Sequence, residues 1–155
     1  MNNRLTLAAA LVIATGAASA DTPELVVYTY DSFAAEWGPG PAIKASFEAE
    51  CACTLTFVPA GDGAEVLSRL RLEGARSDAD VVVGLDSSLI PQANDAGLFA
   101  PHGQDMAGLT LPISWDDATY LPFDWGYFAF VYDTTRLPNP PTSLEDLARG
   151  DVSVI

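Results

Sequence analysis

The segment Leu25-Val26-Val27-Tyr28-Thr29-Tyr30 constrains the fold more than any other stretch of this chain. Its residues are apolar, β-branched or aromatic almost without interruption, which describes a strand covered on both faces, as in a parallel sheet. The run stops at Asp31-Ser32, and Gly38-Pro39-Gly40-Pro41 then breaks the chain. A parallel strand that ends in aromatic and acidic residues directs them into the crevice at its carboxyl end, where open α/β sheets take ligands. The competing reading is an ordinary core strand followed by a solvated loop.

From Leu25 to Gly97 strand and helix alternate three times. Pro41 to Glu50, with Ile43 and Phe47 four apart, predicts a helix with proline in its first turn. Thr54 to Val58 alternates polar and apolar residues and predicts a second strand. After the loop Pro59 to Gly63, a helix is expected over about Ala64 to Glu73. Val66, Leu67 and Leu70 share one face, Arg69 and Glu73 are spaced for an ion pair, and Gly74 follows as the C′ residue. Ala79 to Leu85 holds three consecutive valines and predicts a third, fully buried strand, followed by a helix near Leu89 to Ala96 that Gly97 ends. This order predicts an α/β fold with a mostly parallel sheet, flanking helices and right-handed crossovers. Further on, Tyr120 to Asp133 reads as an aromatic strand, Leu137 to Pro141 as a linker, and Leu144 to Ala148 as a short helix capped by Ser143. Val152 to Ile155 reads as the start of another strand. The expected organisation is a leader over 1–20, a lobe over 21–137, and a linker with the first elements of a second lobe over 138–155, the chain being truncated before most of that lobe.

Arg4, the apolar run Leu5 to Ala14 and the small residues Ala18-Ser19-Ala20 predict a secretory leader, too short to persist as a spanning helix. The mature protein is expected to begin near Asp21 and to work outside the cytoplasm. With 49% apolar and 18% charged residues the chain is globular. A net charge of −14, from 21 acidic and 7 basic residues, argues against a nucleic-acid partner. It suits a cationic ligand, although acidity also serves solubility alone. Cys51 and Cys53 flank a single alanine. An oxidising compartment makes a structural disulfide the expected state. A redox-active pair would want a basic neighbour to lower the thiol pKa, and the nearby sequence supplies none.

Gly61-Asp62-Gly63 lies between a strand and a helix. Asp62 with Glu65 three residues on has the spacing of a capping box, a role that needs no ligand. The functional reading is that the glycines let an anion approach the N–H groups at the helix start. Neither a dinucleotide fingerprint nor a P-loop is present. Asp86 repeats the placement after the third strand, and its expected role is again an N-cap. His102 is the only histidine and has no neighbouring metal-ligand cluster. No catalytic constellation and no cofactor motif appears, which favours a binding protein. Tyr28, Tyr30, Phe33 and Trp37 form one aromatic cluster and Trp125, Tyr127 and Phe128 another. Most are expected in the core, with one or two at strand ends available to stack on a cationic or planar ligand.

The segments Tyr28-Thr29-Tyr30-Asp31-Ser32-Phe33, Glu36-Trp37-Gly38-Pro39-Gly40-Pro41, Asp62-Gly63, Arg69 to Gly74, Ala79 to Asp86 and Phe123 to Asp133 together resemble the periplasmic thiamine-binding proteins of bacteria. Asn139-Pro140-Pro141 leading to Ser143-Leu144 extends the resemblance over nearly the whole mature chain. It implies a type II periplasmic-binding-protein fold, in which two α/β lobes joined by a hinge close on the ligand, similar to the ferric-ion-binding proteins. It implies capture of thiamine, thiamine monophosphate and thiamine diphosphate for an inner-membrane ABC permease. Tyr30 would line the thiamine, Asp62 and Gly63 would stand at its phosphate end, and further ligand residues would lie beyond position 155. Two alternatives remain. One is an exported binding protein for another ligand such as ferric iron, which would need a tyrosine pair and carboxylates from the second lobe. The other is an enzyme similar to thiaminase I with a cysteine nucleophile, for which Cys51 and Cys53 stand on the side away from the strand ends.

Overall fold

The computed structural model describes residues 22–127 and 129–149, so the expected leader and the expected strand Val152 to Ile155 lie outside the described residues. The chain divides into two compact units, one running to Tyr120 and the other from Leu121.

The first unit is built on β1 (Glu24–Thr29), the centre of a three-stranded parallel sheet of order β2-β1-β3. Strand β2 (Thr54–Pro59) pairs along the whole of β1, with Val27 opposite Phe57 and Tyr28 opposite Val58. Strand β3 (Val81–Val82) pairs on the other side, opposite Val27 and Tyr28. Helices α1 (Asp31–Ala34) and α2 (Gly40–Cys51) connect β1 to β2, and α3 (Gly63–Glu73) connects β2 to β3 through a 3-10 turn at Gly74–Arg76. Helix α4 (Ile90–Ala96) follows β3. Alternation of strand and helix is therefore where the sequence pattern places it.

Helix α3 supplies the core. Val66 and Leu70 pack with Tyr28 of β1, and Leu67 packs with Leu89 and Ala93. The predicted apolar face is the buried face because residues three and four apart lie one above another on a helix. Arg69 stacks over the Tyr28 ring at 4.4 Å and donates to the Tyr28 hydroxyl at 3.3 Å. Its Nε donates to Glu73 at 2.7 Å, and Ser77 donates to the same carboxylate at 2.8 Å. Phe33 of α1 contacts Tyr30 and Phe57 edge-on, at 5.6 and 5.5 Å.

Helix α2 docks differently from what its spacing suggests. Ile43 and Phe47 remain exposed, and the helix is tied to β2 by polar groups. Glu48 accepts from the Leu55 N–H at 2.8 Å and from Lys44 Nζ at 2.7 Å, and Lys44 also donates to the Leu55 carbonyl. The lysine bond holds the Glu48 carboxyl below its ordinary pKa, with the Leu55 N–H helping. At its end Cys51 is disulfide-bonded to Cys53 with Cα atoms 5.2 Å apart. Ala52, at φ 52° and ψ 38°, takes the left-handed conformation that turns the chain within one residue.

Three sequence expectations need correction. The third strand is two residues long, not the fully buried run Ala79 to Leu85, and Val81 is 40% exposed. Among the described residues it has a strand on one side only; the Asp80 and Val83 N–H groups extend its ties to β1 carbonyls, and Gly84 at φ 106° then turns the chain away. Asp86 is not an N-cap. Its carboxylate accepts from the Ser88 hydroxyl at 2.6 Å and N–H at 2.7 Å, closing a local turn, and α4 begins four residues later with Leu89 in the cap position. The Ser88 hydroxyl bond is the main cause that lowers the Asp86 pKa. Tyr120 to Asp133 forms no strand among its described residues. A strand exists only where a neighbouring backbone takes its N–H and C=O groups. In the second unit Phe123, Trp125, Tyr127, Phe130 and Val131 are exposed, and Trp125 and Tyr127 meet edge-on at 5.8 Å. Phe128 lies outside the described residues. Helix α5 (Leu144–Ala148) forms as expected, with the Ser143 hydroxyl accepting from the Asp146 N–H at 3.1 Å.

Leu67 and Leu72 lie on the same helix, one 2% and the other 82% exposed. In urea unfolding of the full-length protein, Leu67→Ala is expected to cost about 2–5 kcal/mol. Leu72→Ala is expected to stay within about 0.5 kcal/mol. Equal effects would show that α3 does not bury the face described.

Candidate functional site

Three loops follow the carboxyl ends of the three strands, and they are locked to one another. After β1, the Asp31 N–H donates to the Gly61 carbonyl at 2.8 Å, and the Asp31 carboxylate accepts from the Gly61 N–H at 2.9 Å. This pair of bonds joins the loop after β1 to the loop after β2. Gly61 sits at φ 68°, in the left-handed region, and a Cβ there would run into the Glu65 carboxylate. Beside it, the Asp62 carboxylate accepts from the Glu65 N–H at 2.9 Å, and the Glu65 carboxylate accepts from the Asp62 N–H at 3.1 Å. The capping box read from the sequence is thus formed. It turns the Asp62 charge towards its own helix backbone.

Two contacts join the third loop. A Cβ on Gly63 would run into the Gly84 carbonyl oxygen, and a Cβ on Gly84 would run into the Tyr30 ring. Tyr30, Gly84 and Gly63 therefore stack ring on backbone on backbone across the ends of β1, β3 and β2. Tyr30, Asp62 and Gly63, the three residues singled out from the sequence, are brought to one edge of the sheet. Tyr30 and Gly63 are half-buried and Asp62 is exposed.

Helix α3 offers donors here. Its first N–H groups cannot bond within the helix. The capping box takes those of Asp62 and Glu65, while those of Gly63 and Ala64 meet no acceptor among the described residues. Two open donors at the positive end of an eleven-residue helix suit an anion. The half-buried tyrosine ring beside them suits a flat group.

Sequence reasoning missed Gly84, and it placed Asp31 at the crevice without its bond partner, which lies 30 residues away. Gly84 follows the valine run directly, and a glycine there signals close backbone approach. Neither cysteine belongs to this edge, because Cys53 immediately precedes β2 and lies at its amino end. His102 holds a loop: its ring accepts from the Gln104 N–H at 2.9 Å. Among the described residues no group of three or more histidine, cysteine, aspartate or glutamate side chains is placed to hold a metal ion.

Gly63 therefore has a structural duty independent of any ligand. Gly63→Ala in the full-length protein is expected to cost about 1–3 kcal/mol of stability by crowding Gly84. Asp62→Ala is expected to cost about 1 kcal/mol through loss of the cap, and Asp62→Asn little, since asparagine caps as well. Thermal melts without ligand measure all three. A neutral Gly63→Ala would mean that the two backbones are not pressed together.

Comparison with known proteins gives the chain its family. Residues 29–153 match the family of bacterial extracellular solute-binding proteins. A thiamine-binding periplasmic protein of Escherichia coli K12 is 54% identical over 129 residues, covering 83% of this chain and 39% of that protein. A protein of the same name from Haemophilus influenzae is 46% identical over 154 residues, covering 98% of this chain and 46% of that protein. The solved structure of a periplasmic thiamin binding protein superposes with a TM-score of 0.78 at 53% identity, covering 84% of this chain and 41% of that one. This chain spans less than half the length of these relatives, and its fold is that of the corresponding part of a periplasmic binding protein. The chain belongs to the bacterial extracellular solute-binding protein family.

Proposed function

We propose that this chain supplies one lobe, over 21–137, and the beginning of a second lobe, over 138–155, of a periplasmic protein that captures thiamine. In this reading the protein also takes thiamine monophosphate and thiamine diphosphate, and passes its cargo to an inner-membrane ABC permease. The observation that carries it is the convergence of the Tyr30 ring with the open N–H groups of Gly63 and Ala64 at one edge of the sheet. Thiamine has flat rings, one of them cationic, and its phosphates are anions. A tyrosine face and a helix start are complementary to those two parts. The resemblance to named thiamine-binding proteins over 83–98% of the chain supports the same ligand.

The protein acts here by binding alone. A thiaminase-like reaction would need a cysteine thiolate at the ligand, whereas Cys51 and Cys53 are bonded to each other at the other end of β2. Asp62 contributes as a cap and not as a charge. Its carboxylate would repel a phosphate if it faced the ligand, and the capping box engages it elsewhere.

Calorimetry on the full-length protein tests the reading. Thiamine and both phosphates are expected to bind, and Tyr30→Ala to weaken all three by roughly 5–30-fold, the worth of one well-placed ring over a cation. Failure of the wild-type protein to bind thiamine would sink the proposal. The helix start is tested separately by Ala64→Pro. Proline is tolerated in a first helical turn, and this chain already places Gly40-Pro41 at the matching positions of α2. The substitution deletes one open donor and is expected to weaken thiamine diphosphate more than thiamine. An equal loss for both would show that this helix start does not meet the phosphate.

A further inference from the structure

Strands β1 and β2 stay tied to each other past their carboxyl ends. The Ala60 N–H donates to the Thr29 carbonyl at 2.9 Å, and the Asp31 N–H donates to the Gly61 carbonyl at 2.8 Å. Gly61 then turns the chain at φ 68°. Its own N–H is taken by a side chain, Asp31 Oδ1, at 2.9 Å. Asp31 therefore bonds Gly61 twice, once through its backbone and once through its carboxylate. The place of this tie in the chain gives it leverage. Tyr30 is the residue immediately before Asp31, and Gly63 opens α3 two residues after Gly61. The ring that would meet thiamine and the open donors that would meet its phosphates are thus joined through the Asp31–Gly61 pair.

We propose that Asp31 is a positioning residue that favours phosphorylated thiamine over free thiamine, by holding the Tyr30 ring and the start of α3 at a fixed spacing through its bond to the Gly61 N–H. The proposal rests on the thiamine-binding reading above and adds to it a residue that acts through its neighbours. A ligand that engages two sites at once gains from both only when their separation matches its own. Thiamine diphosphate, which would reach ring and donors together, depends on that separation. Free thiamine, which has no phosphate to place, depends on it less. The charge of Asp31 acts in the opposite sense, since a carboxylate at this edge attracts a cationic ring and repels a phosphate. Loss of the bond and loss of the charge therefore shift the preference in opposite directions, and the two roles separate by sign.

The test uses the full-length protein with thiamine and thiamine diphosphate as probes. Both dissociation constants are measured by calorimetry for wild type, Asp31→Asn and Asp31→Ala, with thermal melts of each in the absence of ligand. All three should fold, because Asp31 is exposed and one side-chain bond is at stake. Asp31→Ala should weaken thiamine diphosphate about fivefold more than thiamine, the worth of one hydrogen bond. Asp31→Asn removes the charge and keeps an oxygen acceptor at the same place, so it should restore the wild-type preference or move it further towards the diphosphate. An Asp31→Ala protein that melts lower but keeps the wild-type ratio of the two dissociation constants has lost stability alone, and overturns the proposal. So does an Asp31→Asn protein that loses the diphosphate as Asp31→Ala does. Either result leaves thiamine binding in place. A wild-type protein that does not bind both ligands overturns the reading on which the proposal rests, and the proposal with it.

Discussion

The closest packing at the carboxyl edge of the sheet is between backbones. Gly63 opens α3 directly against the carbonyl of Gly84, and Gly84 in turn lies under the ring of Tyr30. No Cβ fits on either glycine, so the separation of the loops after β2 and β3 is set by backbone van der Waals radii. The Asp31–Gly61 bonds fix the remaining pair of loops from the other side. Ring, helix start and loop are thereby held at one spacing before any ligand arrives. Preorganisation of this kind reduces the ordering cost of association.

The two ends of the sheet divide labour. At the amino end, the Lys44–Glu48–Leu55 bonds and the Cys51–Cys53 disulfide fasten α2 to the start of β2. The disulfide closes a very short loop, which by loop-closure entropy is worth only roughly 1–2 kcal/mol. Its effect is to hold the left-handed turn at Ala52 and so the direction in which β2 enters the sheet. At the carboxyl end the loops are joined by hydrogen bonds and close backbone contacts, and the half-buried Tyr30 ring and the start of α3 share one edge. Fastening at one end leaves the other available for binding, in keeping with the rule that open α/β sheets take ligands beyond the carboxyl ends of their strands.

What was legible in the sequence was local. The capping box Asp62–Glu65, the Arg69–Glu73 pair and the buried face Val66-Leu67-Leu70 depend on neighbours three or four residues apart, and all three are found as read. Strands β1 and β2 were legible because apolar β-branched runs bounded by polar or proline residues have few other destinations. Failures came where the deciding partner is remote. Val81-Val82-Val83 reads as a buried strand, but burial depends on what lies beyond β3, and among the described residues no strand pairs there. Tyr120 to Asp133 has the composition of a strand and lacks, among the described residues, a backbone to pair with. Of the site, Tyr30, Asp62 and Gly63 were singled out, yet their assembly depends on Asp31 and Gly84, whose contacts span tens of residues.

Charge management at this edge follows from the same geometry. The chain is strongly acidic, with 21 carboxylates against 7 basic residues. That field favours a cationic ring system and disfavours a phosphate. A site for a molecule carrying both must therefore keep its carboxylates from the anionic part without recruiting lysine or arginine. Asp31, Asp62 and Glu65 each accept a backbone N–H group of the loops they stabilise, and in the proposed reading this turns one oxygen of each away from the ligand. The donors left over at the helix start are the N–H groups of Gly63 and Ala64. In the proposed reading the acidic surface attracts the cationic ring, and these two N–H groups meet the phosphate.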